Sequence, residues 1–110
     1  EEMRLLEQEE VRAMFLDTKQ VLLRDELLSR GTVNASLISP REVLIQALCN
    51  RAVTMILVHN HPSGDPSPTK EDIAMTKRLS QAASLEGVPL IDHIIIGDLR
   101  YLSFREKNLL

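Results

Sequence analysis

The sequence predicts a single α/β domain in which helices pack against a mixed sheet, and three observations predict it. Strand, strand, helix, strand, helix and strand patterns follow one another in that order. At 110 residues and 44% hydrophobic composition the chain can bury one core but not two. The run VTMILV, Val53 to Val58, is short and almost uninterruptedly apolar, which suits a central strand covered on both faces.

Taken in order, Glu1 to Gln8 is acidic and reads as the end of a helix. Val11 to Asp17 and Val21 to Leu28 are β-branched and apolar around Thr18-Lys19-Gln20, which reads as a hairpin ended by Gly31. Ser39-Pro40-Arg41-Glu42 is a helix start, with Ser39 as cap, Pro40 at the first helical position and Glu42 placed to complete a capping box. Val43, Leu44, Ala47 and Leu48 then form one apolar face. Val53 to Val58 delivers the chain to His59. A second helix starts near Ser67 to Thr69 and runs to about Glu86, before Gly87 and Pro89. Leu90 to Ile96 is another apolar strand, and Gly97-Asp98 turns the chain back through Tyr101, Leu102 and Phe104 as a closing hairpin.

Composition excludes several functions. Cys49 is the only cysteine, so an internal disulfide and a cysteine-rich zinc cluster are both ruled out, and among apolar neighbours it reads as a small core residue. A net charge of −3 argues against a domain whose main task is gripping nucleic acid, since Lys and Arg carry that affinity. Phe15, Tyr101 and Phe104 are too few for a stacking platform. No stretch approaches the ~20 apolar residues of a membrane span and nothing resembles a signal peptide, which predicts a soluble, cytoplasmic chain.

His59-Asn60-His61 carries the chemistry. Side chains on an extended backbone repeat every second residue, so both imidazoles can point at one ion. Pro62-Ser63-Gly64-Asp65-Pro66-Ser67-Pro68 then folds the chain back into a helix whose first turn contains Asp72, whose carboxylate can become a third ligand. Two imidazoles and one carboxylate leave a tetrahedral zinc one position open to water, as catalytic sites do. Competing motifs fit poorly, because there is no His-Glu-x-x-His helix and no deaminase His-x-Glu with Cys-x-x-Cys. The same ligand set suits iron, although that reading leaves the loop and helix unexplained.

His59-Asn60-His61-Pro62, ten intervening residues before Asp72, and Thr69 three before it resemble the JAMM pattern. The wider sequence resembles the RadC family in Ser39-Pro40-Arg41-Glu42-Val43, in HNHPSGDPSPTKED from His59, and in Leu90 to Gly97, a likeness running from about Glu9 onward. That resemblance implies a JAB1/MPN-type fold, related to the cytidine deaminase fold. It implies a zinc-dependent hydrolase, since the well-understood JAMM members are zinc proteases cleaving isopeptide bonds. Proteins of the family usually carry a helical region before this domain, so residues 1–110 read as one JAMM/MPN domain from the C-terminal part of a longer protein.

Carried over by position, His59, His61 and Asp72 are the implied zinc ligands, and Thr69 steadies the tetrahedral intermediate. The pattern also needs a glutamate on the first strand to move a proton. Glu9 best matches it, because Glu9 to Asp17 resembles the family's first strand. Glu10 would face the other way, and Glu26 lies closer to His59 in sequence than the usual spacing. Asp65 either lines the site mouth or caps a turn. Asp92 and His93 read as a buried hydrogen-bonded pair, and Lys70, Lys77 and Arg78 as the solvated face of the second helix.

Three functions follow from this reading. The first is a metalloprotease or isopeptidase with an unidentified protein or peptide substrate. The second is a DNA-repair-associated binding module whose metal site is structural, with recognition supplied outside this domain. The third is a self-associating domain whose edge strands pair with a second copy.

Overall fold

The computed structural model describes Met3, 7–31 and 38–110, so the helical reading of the first eight residues falls mostly outside it. Among the described residues seven elements follow one another: β1 (Glu10–Leu16), β2 (Leu22–Arg30), α1 (Pro40–Cys49), β3 (Thr54–Asn60), α2 (Lys70–Leu85), β4 (Leu90–Ile96) and β5 (Tyr101–Ser103). The strands make one mixed sheet in the order β2-β1-β3-β4-β5. Only β3 and β4 are parallel, joined through α2; every other neighbouring pair is antiparallel. The architecture is the expected α/β, consistent with a JAB/MPN-type fold.

Local chemistry fixes the element ends. The Asp17 carboxylate accepts from Lys19 N (2.8 Å) and Val21 N (2.9 Å), folding the β1–β2 turn, and Gln20 takes a φ of 61° there. Ser39 Oγ accepts from Glu42 N at 3.4 Å, half of the expected capping box, while the Glu42 carboxylate turns to Arg41. The full box belongs to α2 instead. Thr69 Oγ1 accepts from Asp72 N (3.0 Å), and Asp72 Oδ2 accepts from Thr69 N (2.9 Å).

One core unites the two helices with one face of the sheet. Val43, Leu44 and Ala47 of α1 and Met75, Leu79 and Ala83 of α2 cluster with Val11, Ala13 and Phe15 of β1 and Met55 and Leu57 of β3. Two expectations are corrected here. β3 is covered on one face only: Met55, Leu57 and His59 are buried, whereas Thr54, Ile56 and Val58 are half-buried. Cys49 is exposed and Leu48 is 51% exposed. At 3.6 residues per turn, the stripe through residues 43, 44 and 47 leaves position 48 at its margin and position 49 almost opposite.

The alternation that buries Met55 and Leu57 also buries His59, which lies at the end of the strand on the helix-covered face. The fold therefore delivers an imidazole to the place where the first turn of α2 arrives.

Candidate metal centre

Four sequence-predicted residues meet at the C-terminal end of β3. His59 comes from β3 itself, His61 from the residue just beyond it, Asp72 from the first turn of α2 and Glu9 from the residue before β1. The pairing of Val11 with His59 brings Glu9 there, from fifty positions away in sequence. Glu9 Oε2 lies 2.5 Å from His59 Nε2.

Glu9, His59 and His61 each offer a ligand atom, and those atoms lie within 4.8 Å of one another. This is a possible metal-binding group. Asp72 stands against it, with Oδ2 3.2 Å from His61 Nε2 and Oδ1 3.6 Å from His59 Nδ1. The compact trio thus contains Glu9 where the sequence placed Asp72, although all four side chains share one site.

Electrostatics follow from these contacts. Burial alone would raise the Asp72 carboxyl, but hydrogen bonds from His61 and from the Thr69 backbone, with the His59 ring nearby, hold it at about 2. The hydrogen bond to Asp72 raises His61, against the opposing effect of burial. His61 Nδ1 meets the Asp65 carbonyl at 2.9 Å, so it carries a proton and leaves Nε2 as the exchangeable position. An ion held here takes the place of that Nε2 proton.

The donor set fits a divalent metal. His59 is fully buried, yet among the described residues its Nδ1 has no hydrogen-bond partner, and two imidazoles beside two carboxylates are the mixed nitrogen and oxygen ligands that zinc accepts.

The loop between His61 and α2 is seated by close packing. His61 N donates to Ile96 O (2.9 Å), Gly64 N to His61 O (2.9 Å) and Asp98 N to Gly64 O (2.9 Å). The Asp65 carboxylate caps a turn, accepting from Ser67 N at 3.0 Å, while its backbone carbonyl meets His61. A Cβ on Gly97 would stand 2.3 Å from Gly64 O and 2.8 Å from Pro66 Cδ. Gly97→Ala is therefore expected to push the loop away and lower stability by about 1–3 kcal/mol, the usual range for overpacking. Urea unfolding measures this, and an unchanged midpoint would show that the loop yields freely.

The remaining candidates have partners of their own. The Glu10 carboxylate is bound by Arg12 (3.0 Å) and Arg30 (2.8 Å); burial would raise its pKa, but the two guanidinium groups outweigh it and hold it below the ordinary range. Glu26 lies on β2 beside Arg24 and pairs with Ala13, away from the histidines. Thr69 is engaged in the capping box that holds Asp72. Lys70, Lys77 and Arg78 are exposed, as expected.

Asp92 and His93 are both hydrogen-bonded, but not to each other's side chains, because adjacent strand residues face opposite ways. Asp92 accepts from His93 N (2.8 Å), Arg105 N (3.0 Å) and Ser103 Oγ (2.6 Å), closing the C-terminal turn. His93 lies between His59 and Phe104, with Nδ1 2.6 Å from Thr76 Oγ1. Burial first, and the neighbouring His59, lower His93 to about 3, so its ring stays neutral.

Sequence reasoning passed over Asn60. It is 1% exposed, and its carboxamide binds the backbone on both sides of Glu9. Only the buried position of an amide between two exposed-looking polar residues would have flagged it, and burial at a strand end is not readable from periodicity.

Comparison with known proteins agrees with the geometry. The family model described as a RadC-like JAB domain matches residues 1–109. A UPF0758 protein of Desulforamulus reducens is 47% identical over 110 residues, covering all of this chain and 48% of that protein. UPF0758 proteins of Shouchella clausii (48% over 108 residues) and Methanococcoides burtonii (45% over 105 residues) are similar. These cover 98% and 96% of this chain and 47% and 46% of the respective relatives, so the chain spans about half the length of the curated relatives it matches.

Proposed function

The chain belongs to the RadC-like JAB domain family, and from that premise we propose that it is a zinc-dependent hydrolase of the JAMM class cleaving a peptide or isopeptide bond. The observation that carries the reading is the convergence of Glu9, His59 and His61, with ligand atoms within 4.8 Å of one another, beside the Asp72 carboxylate.

In this reading His59, His61 and Asp72 hold the ion, and Glu9 is the proton carrier. Exposure and hydrogen bonding separate the two carboxylates. The Asp72 side chain is 3% exposed and fixed by the Thr69 backbone, as a ligand oriented by its surroundings should be. Glu9 is 26% exposed, so its carboxylate can exchange protons with solvent.

When bound, zinc supplies Lewis-acid chemistry, acidifying water to a pKa of about 7 and polarising a carbonyl. Glu9 Oε2 takes the proton released at the attacking oxygen and returns it to the leaving amine. Thr69 Oγ1 accepts from Asp72 N, which leaves its own proton available to donate to a developing oxyanion. The His61 Nδ1 contact to Asp65 fixes the ring with Nε2 toward Asp72, where the two would hold the ion together.

The test is hydrolysis of fluorogenic peptide and isopeptide-linked libraries by the zinc-loaded protein, repeated after a chelator and again after zinc is restored. Hydrolysis is expected to stop with the chelator and return with zinc. Zinc binding without any chelator-sensitive cleavage would assign the metal a structural role instead.

A further inference from the structure

We propose that Asn60 is the positioning residue for Glu9, and that its carboxamide stands in for a strand that β3 no longer provides. The inference rests on the metal-centre reading above and deepens it.

β3 ends at Asn60, and beyond it the backbone commits to the other neighbour: His61 N donates to Ile96 O of β4 at 2.9 Å. Backbone pairing between β1 and β3 stops at Val11 and His59. Past that point the first strand would have no partner on this edge, just where Glu9 must be held.

The Asn60 side chain fills the gap. Glu10 N donates to Asn60 Oδ1 at 2.5 Å, and Asn60 Nδ2 donates to Gln8 O at 3.0 Å. In an extended chain the N–H of one residue and the C=O two residues earlier point to the same edge, and the residue between them points its own groups to the opposite edge. Glu9 is that middle residue, and its carbonyl accepts from Gly31 N at 2.9 Å on the β2 side. The peptide planes before and after Glu9 are therefore both tied down, which fixes the direction in which its side chain leaves the backbone.

The residue type is demanded by this geometry. One group must accept from an N–H and donate to a C=O, roughly one peptide's width apart. A carboxamide on one methylene does both; aspartate lacks the donor, and a single hydroxyl cannot span the two. The orientation of the amide follows from the same network, since the oxygen has to face the Glu10 N–H. Both amide atoms of Asn60 are engaged by the backbone on either side of Glu9, so its influence passes through Glu9.

The test is a double-mutant cycle read as zinc affinity, by competition with a chromophoric chelator, on wild type, Asn60→Ala, Glu9→Gln and the double variant. Asn60→Ala is expected to weaken zinc about tenfold, the lower end of the range for groups that orient a metal site. Glu9→Gln should weaken it comparably, and the double variant should be no weaker than Glu9→Gln alone. Wild-type affinity in Asn60→Ala overturns the inference, and so do losses that multiply in the double variant, because a merely structural role adds in both backgrounds. If wild type itself binds no zinc, the metal-centre reading fails and takes this inference with it.

Amide exchange in the wild type supplies a check that needs no folded variant. The Glu10 N–H should exchange far more slowly than the exposed turn amide of Thr18, and equal rates would overturn the proposal.

Discussion

Replacing His61 with alanine is expected to abolish zinc binding while leaving the fold intact. The side chain is 11% exposed and lies beyond the end of β3, outside the apolar cluster, so truncation opens no cavity in the core. What it removes is the imidazole whose Nε2 faces Asp72 at 3.2 Å and whose Nδ1 is fixed by Asp65. Zinc at about a thousand times its dissociation constant stabilises a protein that binds it only when folded by about 4 kcal/mol. The wild type should show a stabilisation of that order on addition of zinc, and His61→Ala none. Elemental analysis of both proteins, with thermal unfolding of the metal-free forms as control, measures the effect. A full equivalent of zinc in His61→Ala would remove this residue from the ligand set. His59→Ala is the less clean comparison, because His59 is fully buried against His93 and its loss also disturbs packing.

Much of this arrangement was legible from the residues in order. The alternation of Met55, Leu57 and His59, the proline-rich return and the Thr69 cap are local patterns, and local patterns set which face a strand residue takes and where a helix begins. What failed to show in the sequence depends on which surface the tertiary fold covers. VTMILV looks the same whether one or both faces of its strand are packed, and Cys49 looks apolar although the helix turns it outward. The placement of Glu9 depends on an antiparallel register, Val11 opposite His59, that no spacing within either strand encodes. Motif resemblance supplied that residue, and pairing supplies its physical reason. Asn60 escaped because its work is to replace a backbone contact, which has no signature in hydrophobic periodicity.

Glu9→Gln is expected to separate metal binding from turnover. Glutamine keeps the shape of the side chain and the backbone bond from Gly31, and it removes the negative charge and with it the ability to take a proton. At micromolar protein and excess zinc the variant should still carry one equivalent, since a tenfold weaker site remains saturated there. Its turnover on any substrate found for the wild type should fall by ~10²–10⁴, the usual contribution of a positioned acid–base group. Glu10→Gln provides the matched control: that carboxylate is occupied by Arg12 and Arg30, away from the imidazoles, so its loss should leave kcat within a small factor of wild type and appear chiefly as lower stability. Steady-state kinetics on the three zinc-loaded proteins distinguishes the cases. If Glu9→Gln turns over as fast as wild type, the proton is carried by another group. If it instead loses its zinc outright, Glu9 is a ligand, as its place in the compact trio with His59 and His61 allows, and the roles of Glu9 and Asp72 must be exchanged.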